Sequence, residues 1–217
     1  LKSITAVASC MKHYLGYSNS RNGKDRTPIY MPEIEMREYY LPQFREAVKA
    51  GSSSIMINSS EINGEPVHAS KYLLTDVLRK ELGFEGLIVT DWEDIIRIHT
   101  RHNVAATPRE AVAKAINAGI DMSMVPMDYS FYGLLLEAVK KGEVPMSRID
   151  DAVTRILLLK YKVGLFDNAY PEPAAVPNFG KASYQTLALE AAHESMTLLK
   201  NKDNILPLSK NTKILVA

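Results

Sequence analysis

The chain has 217 residues, 46% hydrophobic and 24% charged, an ordinary globular composition with enough apolar material for a sizeable core. Its 26 Lys and Arg nearly balance 25 Asp and Glu, and no basic stripe is interleaved with aromatics, so no nucleic acid or other polyanion is expected as a partner. A single cysteine, Cys10, excludes an internal disulfide framework, and no apolar run approaches the ~20 residues that cross a bilayer, so no membrane partner is expected either.

Four short apolar runs recur along the chain. "ITAVASC" from Ile4 ends in Lys12-His13, and "SSIMIN" from Ser53 ends in Asn58-Ser59-Ser60. "GLIVTD" from Gly86 ends in Asp91-Trp92-Glu93, and "IDMSMV" from Ile120 ends at Met124-Val125-Pro126. None alternates, which is how a strand buried on both faces reads. Helical patterns separate them. Residues 33–51 carry an apolar face, contain Pro42 and end at Gly51; residues 71–84 repeat Leu at helical spacing and stop near Gly83. Residues 107–119 offer Thr107 as N-cap, Pro108 at the first helical position and Gly119 as C-cap. Two further helical patterns follow the last run, over 129–144 and 145–166.

Strand and helix alternating this regularly predict an α/β fold with a parallel sheet and right-handed crossovers. Four βα units make half of an eight-stranded barrel. They also suit an open doubly wound sheet, but the Gly-rich phosphate-binding turn common there is missing, which favours the barrel. "FDNAYPEPAAVPNFG" breaks the periodicity as an extended linker. A new helix is expected over 183–201, and "ILPLSKNTKILVA" reads as a turn feeding the first strand of another domain. The chain opens at Leu1 without an initiator Met and stops in an apparent strand, so both ends read as cut. The expected division is 1–167 for the second half of a (β/α)8 barrel, 168–182 for a linker, and 183–217 for the start of an α/β sandwich domain.

In a parallel barrel, catalytic groups stand at the carboxyl ends of strands. Asp91, Lys12 and His13 therefore share one rim. Retaining glycoside cleavage needs a carboxylate beneath the sugar and a second carboxyl to protonate the leaving oxygen. Asp91 suits the first task and Trp92 offers a flat face to a pyranose, although Asp91 would equally serve as a helix cap. Lys12 and His13 read either as a structural pair, as donors to sugar hydroxyls, or, for Lys12, as a Schiff-base lysine. Asp94, His99 and His102 could suggest a metal site, their spacing fitting a helix or loop face loosely, but no Cys or third His supports it, and no cofactor or metal is expected. Arg21, Lys24 and Arg26 lie in a Gly/Asn-rich loop, by default solvated and otherwise a substrate rim.

"MKHYLGYS", "GFEGLIVTDWEDI", "AGIDMSMVP", "MSRIDDAVTRILLLKYKVGLFDNAY" and "ESMTLLKNKDNILPL" together resemble glycoside hydrolase family 3, in its multidomain β-glucosidase and exo-β-glucanase branch. The resemblance runs in order from Ile4 to Ala217. It implies a retaining, exo-acting β-glycosidase that removes terminal non-reducing β-D-glucosyl residues from oligosaccharides by double displacement. The nucleophile maps onto Asp91. Lys12 and His13 map onto glycone-binding residues, Trp92 onto the aglycone side, and Arg97, Met124 and Ser59 onto pocket positions. The acid/base Glu of the family lies beyond this chain, so the remainder of the polypeptide is an expected partner. Gly16-Tyr17 replaces the Gly-Asp of plant relatives, Ser59 replaces their pocket Tyr, and the His-Asp loop of the hexosaminidase branch is absent. A β-xylosidase of the same family is the nearest alternative; a Schiff-base aldolase or a non-catalytic carbohydrate-binding protein are the others. Export of related bacterial proteins points to a periplasmic or secreted location.

Overall fold

The computed structural model describes residues 7–170 and 172–215, so Ile4 to Ala6 of the first apolar run and the closing Val216-Ala217 lie outside the described residues. The chain divides into two compact units, Leu1–Ala169 and Tyr170–Ala217.

The first unit is built on a parallel sheet of four strands: β1 (Cys10–Tyr14), β2 (Ser54–Ile57), β5 (Leu87–Trp92) and β6 (Met122–Met124), in the spatial order β1-β2-β5-β6. Every pairing is parallel, with Cys10 opposite Ser54, Ile55 opposite Ile88, and Val89 opposite Met122. The apolar runs thus become strands, but they are not equally covered. Ile55, Ile57 and Ile88 of the two central strands are fully buried, whereas β1 and β6, on the outside of the order, keep exposed positions at Cys10, Lys12 and Met122. Among the described residues β1 begins at Cys10 and continues through Lys12-His13 to Tyr14.

Helices return the chain between strands. The stretch 33–51 is not one helix. A turn at Glu33–Glu35 leads into wider π-type winding over Met36–Tyr40, and α1 proper is Pro42–Lys49. Pro42 has no N–H to continue a regular ladder, and the Leu41 N–H bonds back five residues to Met36, 2.9 Å away. A tight hairpin of β3 (Glu61–Ile62) and β4 (Glu65–Pro66) turns through Asn63 and Gly64, both at positive φ, the I′ geometry that Asn-Gly favours. α2 (Tyr72–Glu81) is also wound with π-type bonds and buries Leu73, Leu74, Val77 and Leu78.

α3 (Asp94–Thr100) begins immediately after β5, and α4 (Pro108–Ala118) follows it. The Thr107 hydroxyl accepts from the Glu110 N–H as N-cap, and Glu110 in return accepts from the Ala106 N–H at 2.7 Å. Gly119 closes α4 at φ +129°, with Leu74 and Thr75 close against the place a Cβ would occupy. α5 (Ser130–Lys140) and α6 (Met146–Lys162) complete the unit.

At the amino end of the sheet, the Asp121 carboxylate accepts from Arg79 on α2 and Arg148 on α6, each at 2.5 Å, and from the Ile88 N–H of β5 at 2.9 Å. One buried anion thereby ties two helices to two strands.

The second unit contains a short 3-10 stretch, Pro173–Asn178, and α7 (Ala182–Ser195). α7 ends short of the predicted limit of 201. Met196, Leu198 and Leu199 beyond it are exposed, and a helix gains most of its stability from packing an apolar face. No strand forms among the described residues 205–215.

Candidate active site

The parallel order brings the carboxyl ends of all four strands to one edge, and the predicted residues Lys12, His13, Ser59, Asp91, Trp92 and Met124 stand at or just past those ends. Asp91 is their centre. Its side chain is 15% exposed, neither sunk in the core nor free in solvent. Oδ1 accepts from the Trp92 N–H at 2.6 Å. Oδ2 faces three donors: the Ser59 hydroxyl at 3.2 Å, Arg26 Nη2 at 3.4 Å and His13 Nε2 at 3.6 Å. Asp91 does not cap α3; Glu93 occupies that position, at φ +57°, and its N–H donates to the Met124 carbonyl at 2.9 Å. The left-handed residue lets the chain double back, so Asp91 and Asp94 can both turn towards Ser59.

Electrostatics keep Asp91 ionised. Partial burial works to raise its pKa, but the Trp92 N–H, the Arg26 guanidinium, the Ser59 hydroxyl and His13 outweigh burial, and the carboxyl is held below its usual range. His13 is also lowered, by burial and by neighbouring Lys12, against the opposing pull of Asp91. It is therefore largely neutral near pH 7. An anion with a depressed pKa cannot serve as a proton donor at neutral pH. It can attack an electrophilic carbon or stabilise a developing positive charge.

The other predicted residues take distinct places. Trp92 is 45% exposed beside Asp91, leaving an open aromatic surface. Lys12 is exposed and has no ion pair among the described residues. Met124 closes β6, its N–H bonded to the Thr90 hydroxyl at 2.8 Å. Arg97 turns to Asp94, at 3.1 Å, and to Glu93, at 4.0 Å. Ser59 is buried between the two aspartates, its hydroxyl touching both Asp91 and Asp94.

The sequence motifs assign no contact with Asp91 or its surroundings to three further side chains. Arg26 reaches Asp91 from the loop after β1. Its backbone carbonyl accepts from Arg101, and Asp25 beside it accepts from the Tyr17 hydroxyl at 2.7 Å, while the Tyr17 ring lies 4.6 Å from that of His13. Asp94 is 3% exposed beneath Asp91. His68 is fully enclosed, its Nε2 3.7 Å from Asp94 Oδ2, and burial pushes it down to about 4 against the pull of Asp94 and Asp91. The candidate metal trio disperses: His99 bonds the Ala105 carbonyl, His102 pairs with Glu61, and Asp94 faces Ser59 and Arg97. Among the described residues no group of three or more His, Cys, Asp or Glu could hold a metal ion.

A parallel α/β sheet with an ionised carboxylate and an open indole at its carboxyl edge defines a class of proteins that act at strand ends. Within that class the chain belongs to glycosyl hydrolase family 3: the family's N terminal domain model matches residues 2–159. It is 53% identical over 204 residues to the lysosomal beta glucosidase of Dictyostelium discoideum, covering 93% of this chain and 25% of that protein. It is 36% identical over 217 residues to the periplasmic beta-glucosidase of Salmonella typhimurium, covering 97% and 28%. Among solved structures, a β-glucosidase from Erythrobacter marinus superposes with a TM-score of 0.82 at 38% identity, over 93% of this chain and 27% of that one. An exo-1,3/1,4-beta-glucanase from a Pseudoalteromonas species gives 0.79 at 37% identity, over 93% and 25%. The chain therefore spans between a quarter and three tenths of the length of these relatives.

Proposed function

We propose that the protein carrying this chain is a retaining, exo-acting β-glycosidase with Asp91 as its nucleophile. One observation carries the reading: a partly exposed carboxylate, held anionic by Arg26, Ser59 and the Trp92 N–H, stands at the carboxyl edge of the sheet beside His13. Such a group attacks an anomeric carbon and steadies the oxocarbenium-like transition state. The half-exposed Trp92 face suits the apolar side of a sugar ring, and Lys12 and His13 offer donors to glycone hydroxyls. Met124 and Arg97 border the same edge.

Asp94 is buried and Glu93 faces Arg97, so the proton donor is assigned to the remainder of the polypeptide. That remainder also completes the barrel in this reading, with 1–167 as the second barrel half, 168–182 as linker and 183–217 as the start of a sandwich domain. The substrate is an oligosaccharide with a terminal non-reducing β-D-glucosyl residue. A β-xyloside is the alternative, since a relative from Formosa agariphila, 40% identical, is a beta-xylosidase. The periplasmic relatives support an exported location.

The test uses the full-length protein. Asp91→Ala is expected to lower kcat on nitrophenyl β-glucoside by roughly a thousandfold or more. Azide is expected to restore part of the rate and give an inverted glycosyl azide, and a 2-fluoro glucoside should label Asp91 in the parent enzyme. Near-normal turnover by the Asp91→Ala variant would remove the assignment. Parallel assays on nitrophenyl β-xyloside decide between the two sugars.

A further inference from the structure

Beneath Asp91 lies a group that the double-displacement scheme does not use. Asp94 is 3% exposed, Ser59 is 1% exposed, and the Ser59 hydroxyl stands between the carboxylates of Asp91 and Asp94. A serine hydroxyl has one proton to donate. The other oxygen of Asp94, Oδ1, accepts from the Arg97 guanidinium at 3.1 Å. Two carboxylates therefore compete for a single donor, and the contact to Asp94 is the shorter of the two.

We propose that Asp94 is a positioning residue that draws the Ser59 proton away from Asp91, leaving the nucleophile's charge only partly satisfied and so more reactive. The proposal rests on the reading of Asp91 as nucleophile. In the first chemical step an Asp91 oxygen bonds the anomeric carbon as the carbon–oxygen bond to the aglycone breaks, and the aglycone oxygen takes the proton of the acid supplied elsewhere in the polypeptide. Asp91 is then a neutral ester, and the Ser59 hydroxyl, keeping its proton, donates its hydrogen bond wholly to Asp94. When water cleaves the ester, its proton returns to that acid, Asp91 regains its charge, and the Ser59 proton is shared again. No proton is gained or lost at Ser59 over the cycle.

The groups facing Asp91 come from four places. β1 brings His13, with Lys12 beside it, and the following loop brings Arg26, backed by Asp25. Ser59 follows β2. The head of α3 brings Asp94, with Arg97, Glu93 and the buried His68 around it. Of these, only Ser59 touches both carboxylates through one hydroxyl, so a change at Asp94 that acts by this route must depend on Ser59.

The experiment reads the acidic limb of kcat/KM for nitrophenyl β-glucoside in the full-length enzyme, which reports the free enzyme's essential carboxylate. Ser59→Ala removes a donor from Asp91 and should move the limb up by roughly half to one pH unit. Ser59→Thr keeps the hydroxyl and should leave it near the parent position. Asp94→Asn offers its amide to the Ser59 oxygen and frees the hydroxyl for Asp91, so the limb should move down and kcat should fall. Asp94→Ala, the fallback if the amide is not tolerated in the core, should move the limb the same way. In the Ser59→Ala background either Asp94 change should shift the limb by less than a third of its effect in the parent. An equal shift in both backgrounds would mean a through-space charge effect and would overturn the proposal, as would an unmoved limb in Ser59→Ala. Failure of the underlying reading looks different: Asp91→Ala would then remain active whatever happens at Ser59.

Discussion

Asp121 at the amino end of β6 and Asp91 at the carboxyl end of β5 are carboxylates of one sheet held in opposite ways. Asp121 is inaccessible and receives two guanidinium donors at 2.5 Å and a backbone N–H, so its charge is saturated by short bonds. Asp91 keeps 15% of its side chain exposed, and the donors on its Oδ2 sit 3.2 to 3.6 Å away. The first arrangement stabilises the fold and leaves nothing for chemistry. The second holds the charge in place and leaves it unspent. The two ends of a parallel α/β sheet are expected to divide in this manner, with chemistry at the carboxyl edge and cohesion at the other.

The sharpest way to break this contrast is to exchange which property fails. Asp91→Ala should lower turnover by roughly a thousandfold or more with a smaller loss of thermal stability than a change at Asp121, since the Asp91 carboxylate keeps some solvent contact and its one short bond is that from the Trp92 N–H. Asp121→Ala should do the reverse at the level of folding. It leaves Arg79 and Arg148 without their buried partner and is expected to cost about 3–5 kcal/mol, read from denaturant unfolding. A stable Asp121→Ala protein would mean that the clamp is dispensable.

His68 gives a third measure. Its folded pKa of about 4 lies below the ordinary 6.5, so the unfolded chain binds the extra proton between those values. Stability should be fully present above pH 6.5 and should decline as pH falls towards 4, by about 3 kcal/mol from this group alone. His68→Gln should flatten that decline in a pH series of unfolding midpoints. An unchanged pH slope would show that His68 is not the group responsible. The smallest effect belongs to Trp92→Ala, which should raise KM by roughly tenfold while leaving the unfolding midpoint within a degree or two. A change confined to kcat would instead place the ring with the reacting atoms.

Much of this organisation was legible in sequence. Three of the apolar runs that became strands stopped at polar clusters, the fourth stopping at Met124-Val125-Pro126, and these ends meet because parallel strands finish on one side. The rest depended on contacts between distant residues. Arg26 looked like part of a solvated loop, because nothing local indicates that it reaches Asp91, 65 residues away. His68 sits in a 3-10 turn with no periodicity to mark it. Ser59 was expected at the pocket, but its place between two carboxylates follows from the left-handed turn at Glu93, which a non-glycine residue rarely signals. The break at Pro42 had its cue in the proline, and the Asn63-Gly64 hairpin carried a sequence signal of its own.

That hairpin has a consequence for how the site can vary. Ile29 donates to the Glu61 carbonyl at 2.9 Å and accepts from the Asn63 N–H at 2.8 Å, while the Asn63 side chain bonds both the N–H and the carbonyl of Met31. The far end of the Arg26 loop is thus moored to a two-strand ribbon outside the main sheet. Insertions or exchanges in that ribbon would shift the loop that carries Arg26, and with it one donor to Asp91, while the strand bearing Asp91 keeps its register.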